Sequence, residues 1–426
     1  MRLLVPQPSA EGAAAASVTT PRMSPDPPLL ARLERADWPW LAGLVVGVAA
    51  LTFAVTRRMM VMGLDSDFGH HIQLTEAMAR SGRILAPHFL YHFSTIAVHA
   101  GLSVWDVSFA AAGTLVTVGY TALLTVLVYL LLRPVCQAPG SVTRGPACAA
   151  GLAVVVLLVA PITLPTWPRH NLYYGYFGIN VYHNPAISVL KPLALLLSVV
   201  TVRMCLPATP RRLASVAAAG GLTVLATLAK PNYVLCLLPV VALIGIYRTG
   251  KRQNFDWPLA AAVAVPAVLV LAWQYQFTYG EAEPILFAPL SAMKWFTSPR
   301  SILPKLLLSI LFPLGVYALY WRRARADLYL NLSWLVFGVG LSFAFLLAEG
   351  GERRGHGNFL WGAQVGLFVL FIAATRFWVR HAWIVDRSTW PARWGRWGGG
   401  ALLVLHLASG LLWYYSQLTL GMGGWW

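Results

Sequence analysis

The sequence predicts an all-α fold, a polytopic transmembrane helical bundle of about eleven spans (ten to thirteen), with amphipathic surface helices in its first outer loop. Three observations predict it. Of the 426 residues, 58% are hydrophobic and only 11% are charged, against roughly 25% charged in a typical soluble domain. The apolar residues gather in runs, and one bilayer crossing takes about 20 of them. The net charge is +17, and the basic residues sort to alternate connections, as the positive-inside rule requires. Too few charges remain to cover a water-facing surface, which excludes an ordinary soluble enzyme, a disordered chain and a disulfide-stapled secreted domain. The positive charge is assigned to membrane topology, so no nucleic-acid partner is expected. Cys136, Cys148, Cys205 and Cys236 are scattered and lack metal-ligand spacing.

Residues 1–37 are rich in Pro, Ala and Ser, contain no apolar signal core, and read as a disordered cytoplasmic tail. Residues 38–426 read as one membrane domain. Its apolar runs fall near 38–56, 104–132, 148–164, 186–202, 213–229, 233–247, 258–277, 304–321, 328–348, 359–375 and 398–419. Turn residues punctuate them, as at Arg133-Pro134, Pro207, Lys230-Pro231 and Gly350-Gly351. With the N-terminus in the cytoplasm, every inner connection is basic, and 20 of the 32 Lys and Arg residues fall inside. The expectation is an integral protein of the plasma (inner) membrane whose working face is the outer one. Histidines agree: His70, His71, His88, His92, His99, His170, His183 and His356 all fall outside, and only His381 and His406 do not.

The first outer loop, 57–103, is the longest of the connections. It carries the acid pair Asp65-Ser66-Asp67, then a helical stretch over 68–81 broken by Gly82, then a second beginning at Pro87. Two acids next to a membrane are costly unless solvated, paired or bound to a metal; Asp67 also fits as the cap of the following helix. In the second stretch His88, His92 and His99 share one face, while Leu90, Phe93 and Ala97 take the other, the pattern of a helix lying along the membrane surface. His88 and His92 have the spacing of a metal pair, though a solvated face explains them more simply.

Segment 167–185 combines Arg169, His170, Tyr182 and His183 with several aromatic residues, which suit either a membrane interface or the apolar faces of sugars. Lys230 sits at a tight turn, where an ammonium either snorkels or contacts a phosphate. Loop 278–303, with Glu281, Glu283, Lys294 and Arg300, fits a lid. Segment 349–358 packs Glu349, Glu352, Arg353, Arg354 and His356 between apolar helices. Its arginines are suited to bidentate phosphate binding, or to an internal salt bridge such as Glu352 with Arg354. The string 245–251 has phosphate-loop spacing, but Arg252 stands where Ser or Thr is needed and no strand precedes it. A nucleotide-sugar donor is therefore not expected.

A cytoplasmic N-terminus, one helix and a large outer loop with Asp65-Ser66-Asp67 and surface helices together resemble the GT-C superfamily of integral-membrane glycosyltransferases. The strings Tyr182-His183-Asn184-Pro185 with Lys191-Pro192, and Glu352 through Phe359, look like those of uncharacterised bacterial members. The resemblance implies transfer of a hexose or pentose from a polyprenyl-phosphate carrier to a glycan, lipid or protein acceptor. It implies Asp67 as catalytic base, with Asp65 supporting it or holding a divalent cation such as Mg²⁺ or Mn²⁺. Arg353, Arg354, Lys230 and His356 are then expected at the donor phosphate. His70, His71, His183, Arg169, Tyr182 and Glu352 are expected at the substrates. A polysaccharide polymerase or ligase, and a membrane transporter or lipid flippase, are the competing readings. The first usually places its chemistry in a large late loop. Transporters often show paired halves and charges inside their helices.

Overall fold

The computed structural model describes residues 29–31, 33–61, 67–137, 144–169, 171–180, 183–207, 212–280, 285–385 and 390–419. Fifteen helices run through them: α1 (Trp38–Val61), α2 (Asp67–Ser81), α3 (Leu90–Gly101), α4 (Phe109–Leu132), α5 (Arg144–Leu158), α6 (Pro185–Met204), α7 (Arg212–Ala229), α8 (Asn232–Gly250), α9 (Trp257–Tyr279), the short α10 (Ser291–Lys294), α11 (Pro299–Leu319), the short α12 (Trp321–Ala324), α13 (Leu328–Leu346), α14 (Leu360–Val379) and α15 (Trp390–Thr419). Among the described residues, nine helical spans are long and apolar enough to cross a membrane, and two shorter apolar helices, Gly145–Leu158 and Leu213–Ala229, join them. These lie on the eleven apolar runs of the sequence.

A membrane helix must satisfy its own polar groups, because hydrocarbon offers none. In α4 the buried Thr114, Thr117, Thr121 and Thr125 each donate to the carbonyl four residues back, at 2.8–2.9 Å. Helix α14 is buried along its whole length. Helix α13 approaches it closely because Gly340 offers no Cβ; one there would lie 2.7 Å from the Ala363 nitrogen.

The long helices alternate in direction, so α1 starts at one end of the bundle and the loops bearing α2 and α3 gather at the other. At the first end Leu29, Leu30 and Leu33 pack against the core. There the buried Asp37 carboxylate accepts from Tyr129 Oη and Arg133 Nε, both at 2.5 Å. At the second end segment 159–184 is stitched into the helices. Asn180 Nδ2 donates to the carbonyls of Val156 and Val159, Lys191 Nζ donates to Asn180 Oδ1 at 3.1 Å, and Lys305 Nζ donates to the Tyr174 carbonyl at 2.6 Å.

Two features depart from the sequence reading. Strands β1 (Ile285–Phe287) and β2 (Leu347–Glu349) pair antiparallel and tie the 278–303 loop to the last connection. Helix α3 also begins three residues after Pro87, so His88 precedes it. On it His92 packs inward and is fully buried, while Phe93 and Ala97 face outward. Hydrocarbon inverts the soluble rule here: the polar face seeks protein and the apolar face is left outside.

Candidate active site

A chamber of about 710 Å³ opens at the second end of the bundle. Helix α2 contributes Asp67, His70 and His71; segment 171–184 contributes Tyr173, Tyr174, His183 and Asn184. Lys230 comes from the α7–α8 turn, Arg353 and His356 from the last connection, and Trp361 and Gln364 from the start of α14. Separate chain segments thus converge on one space, including the acid-bearing first loop and the cationic last one.

Asp67 is the first residue of α2 and is half-buried. Its Oδ2 accepts from Asn184 Nδ2 at 2.9 Å. Lys230 is 5% exposed, and its ammonium lies 4.6 Å from the centroid of the Trp361 ring. Among the described residues no carboxylate lies within ion-pair distance of it. Burial pushes its pKa down to about 8, with Asp67 and Glu349 pulling weakly the other way.

Arg353 differs. Its Nε and Nη2 both lie 3.0 Å from Glu349 Oε1. Glu349 is itself buried and also accepts from Tyr279 Oη at 2.6 Å and Asn358 Nδ2 at 2.5 Å. The Arg353 charge is therefore already matched. Arg354 is turned away: it is exposed, donates to Ser291 Oγ at 2.9 Å and does not line the chamber.

His71 and His88 line one wall of the chamber, and His92 backs His71. His71 Nδ1 and His92 Nε2 are 3.0 Å apart, so one ring donates and the other accepts. Burial holds His71 well below the ordinary imidazole value, helped by His92, His88 and Lys230. Burial likewise pushes His88 down to about 3 and His92 to about 4. All three are neutral at physiological pH. Burial also lowers His183, against a weaker opposing pull from Asp67.

A second cavity, of about 470 Å³, adjoins the first and shares Pro87, His88, Lys230, Arg353 and Asn358 with it. Leu235, Val268, Leu271, Ala272 and Tyr275 of α8 and α9 make it an apolar groove. It opens sideways, where Val268 is 56% exposed. Lys230 stands at the junction of chamber and groove.

Of the residues expected from sequence, the chamber gathers Asp67, His70, His71, His183, Lys230, Arg353 and His356. Arg354 and the exposed Arg169 lie outside its lining. An arginine in a short polar connection can point to either side of it, and spacing does not say which. Asp65 and Tyr182 lie outside the described residues, and Glu352 is described in its backbone only. His88, Asn184 and Glu349 are noticed in the sequence but given no role at the site, and Trp361 and Gln364 are not singled out there. Glu349 carried a signal, since an acid at the edge of an apolar run needs a partner. Mg²⁺ is usually bound through one or two carboxylates together with water and substrate phosphate oxygens. Asp67 is the chamber's one carboxylate, and no group of three His, Cys, Asp or Glu is placed to hold a metal, both among the described residues. Asp65, the other carboxylate expected to hold Mg²⁺ or Mn²⁺, lies outside the described residues, and no step below runs through a metal. Compared with known proteins, the chain matches no family model, and no curated protein matches it.

Proposed function

We propose that this chain is a membrane glycosyltransferase of GT-C type, moving a sugar from a polyprenyl-phosphate carrier to a glycan, lipid or protein acceptor. One observation carries the reading: a chamber holding a carboxylate adjoins an apolar groove, and a lysine with no carboxylate at ion-pair distance among the described residues stands where they meet. That division suits a ligand with a sugar, an anionic link and a hydrocarbon tail. The groove takes the tail, Lys230 the phosphate, and the chamber the sugar.

In the proposed reaction Asp67 removes the proton of the acceptor hydroxyl as that oxygen bonds to the anomeric carbon. The bond from the anomeric carbon to the phosphate oxygen breaks, and the polyprenyl phosphate leaves with the electron pair. Lys230 stabilises that departing charge. Arg353, fixed by Glu349, flanks the same junction. Tyr173, Tyr174 and Trp361 offer flat faces to the sugar. A single displacement inverts the anomeric centre. The proposed orientation sets the N-terminus in the cytoplasm and the chamber on the outer face of the plasma membrane. The helix ends and connections at the opposite end carry Arg133, Arg203, Arg248, Arg322, Arg323 and Arg376, which favours that end as the inner one.

Asp67→Asn keeps the shape of the side chain and removes the base. Transfer from undecaprenyl-phosphate sugars should fall by roughly 10²–10⁴-fold, with donor affinity nearly unchanged. Wild-type turnover in this variant ends the assignment. A lipid flippase is the second reading, because a sideways-opening groove beside a polar chamber also suits headgroup passage. The chamber residues lie at one end of the bundle rather than at a midplane, which favours chemistry in place. Headgroup translocation in vesicles without sugar transfer would reverse that preference.

A further inference from the structure

The pairing of Asn184 with Asp67 says more than that two polar groups touch. Asn184 precedes Pro185, and a proline pushes the residue before it into extended backbone. Asn184 is accordingly extended (φ −118°, ψ 111°), the state an N-cap needs, and Pro185 opens α6 where its missing N–H costs nothing. The Asn184 carbonyl oxygen, Oδ1, accepts from the Ile187 backbone nitrogen at 3.3 Å. That bond settles which way the amide faces. With Oδ1 committed to the helix, the amide nitrogen is left pointing at a partner 117 residues away in the chain, Asp67 Oδ2, at 2.9 Å.

A cap requires only the oxygen. Serine or aspartate would serve α6 as well, and neither would place an N–H donor against Asp67. Asn184 is 5% exposed, so its amide nitrogen has little water to turn to. The Asp67 carboxylate is held through Oδ2, and Oδ1 accepts no hydrogen bond among the described residues. The base thus keeps one oxygen anchored to the rigid start of a membrane helix and one oxygen for chemistry. Without the anchor, Asp67 would turn about its side-chain bonds at the very start of α2.

We propose that Asn184 is a positioning residue: its amide fixes the Asp67 carboxylate so that the unanchored oxygen meets the acceptor hydroxyl. The inference rests on the reading of Asp67 as base. It does not require Asn184 to touch a substrate, although it lines the chamber. Its effect belongs to the proton-transfer step, so it should change kcat and leave donor KM nearly unchanged.

The test separates cap from anchor in the full chain, purified in lipid nanodiscs. Asn184→Ser keeps a capping oxygen and loses the reach to Asp67. Asn184→Asp is a second capping variant, in case serine folds poorly; Asn184→Ala loses both functions. An infrared difference spectrum of wild type minus Asp67→Asn isolates the Asp67 carboxylate stretches without any substrate. In the Asn184→Ser background those bands should shift, while the thermal midpoint stays above that of Asn184→Ala. Against a panel of undecaprenyl-phosphate hexoses and pentoses, kcat should fall roughly tenfold or more, with donor KM within about twofold. Unshifted carboxylate bands, or a wild-type kcat in both capping variants, overturn the proposal. A kcat loss matched by an equal KM rise in both overturns it too. If wild type turns over no donor in the panel yet the bands shift, the anchor stands and the transferase reading fails. Turnover without a band shift sinks the anchor alone.

Discussion

Lys230 shows how a single residue reveals a division between stability and function. A buried ammonium without a carboxylate partner is a liability, since burial penalises its charged form. The Trp361 ring offsets only part of that cost. With its pKa held near 8 against 10.5 for a free lysine, Lys230 costs stability while it is charged, below about pH 8. The cost fades from about pH 8, where the folded chain releases the proton and the unfolded chain still holds it, and is gone by about 10.5, where the unfolded chain releases it too. Lys230→Met should therefore raise the thermal midpoint near neutrality, by roughly 1–3 kcal/mol in stability, and that gain should shrink above pH 8. The same variant should bind undecaprenyl phosphate more weakly. In wild type the affinity should fall as pH rises through about 8, because the ammonium is the group that holds the anion. The neighbouring His71, His88 and His92 stay neutral and add no transition near pH 6. A lipid-binding titration paired with thermal melts checks both halves; a variant that is less stable yet binds normally would refute the assignment. Part of this was legible beforehand. A lysine before a proline between apolar runs marks a turn at the membrane edge, but only the packed structure brings Trp361 beneath it and leaves Glu349 to Arg353.

At the scale of elements, legibility follows periodicity. The eleven apolar runs surface as apolar helices because a long run leaves the chain no other way to satisfy its backbone in hydrocarbon. Helix α2 also ends as the sequence indicates: Gly82 adopts φ +67°, and its nitrogen donates to the Met78 carbonyl at 2.9 Å. The β1–β2 ribbon was illegible, because three-residue strands have no period to detect and their pairing joins residues about sixty positions apart. The ribbon matters to the site because β2 ends on Glu349, which gathers Tyr279, Arg353 and Asn358. Asn358 in turn accepts from Asn232 Nδ2 through its carbonyl at 2.6 Å, joining the last connection to the start of α8. Glu349→Ala should loosen this knot by roughly 1–3 kcal/mol; a larger loss is not expected, since the Arg353 side chain is 41% exposed and water takes over part of its solvation. Hydrogen exchange should quicken at Ile285–Phe287 and Gly351–Gly355 while α14 stays protected. Unchanged exchange in both segments would show that Glu349 holds nothing in place.

Across the whole molecule, chemistry is polarised along the bundle. The end where α1 begins holds the matched Asp37–Arg133 pair and the basic connections, and the other holds a chamber whose lysine has no carboxylate at ion-pair distance among the described residues. The groove between α8 and α9 adjoins that chamber, and in the proposed reading it is a side door for a ligand that travels in the membrane. Each buried methylene contributes about 0.8 kcal/mol, so a long isoprenoid tail lying in the groove supplies affinity that a water-soluble sugar phosphate lacks. Ala272 lines the groove, away from the chamber. Ala272→Trp should fill it and leave Asp67, Asn184 and Lys230 undisturbed. Affinity for undecaprenyl-phosphate donors should then fall at least about tenfold, or 1.4 kcal/mol. Binding of a short, soluble citronellyl-phosphate sugar, weak from the outset, should stay unchanged. Equal losses for long and short donors would mean that the substitution distorts the chamber. No loss for either would mean that the tail lies elsewhere, which would remove the main reason for linking this chamber to a lipid-borne sugar.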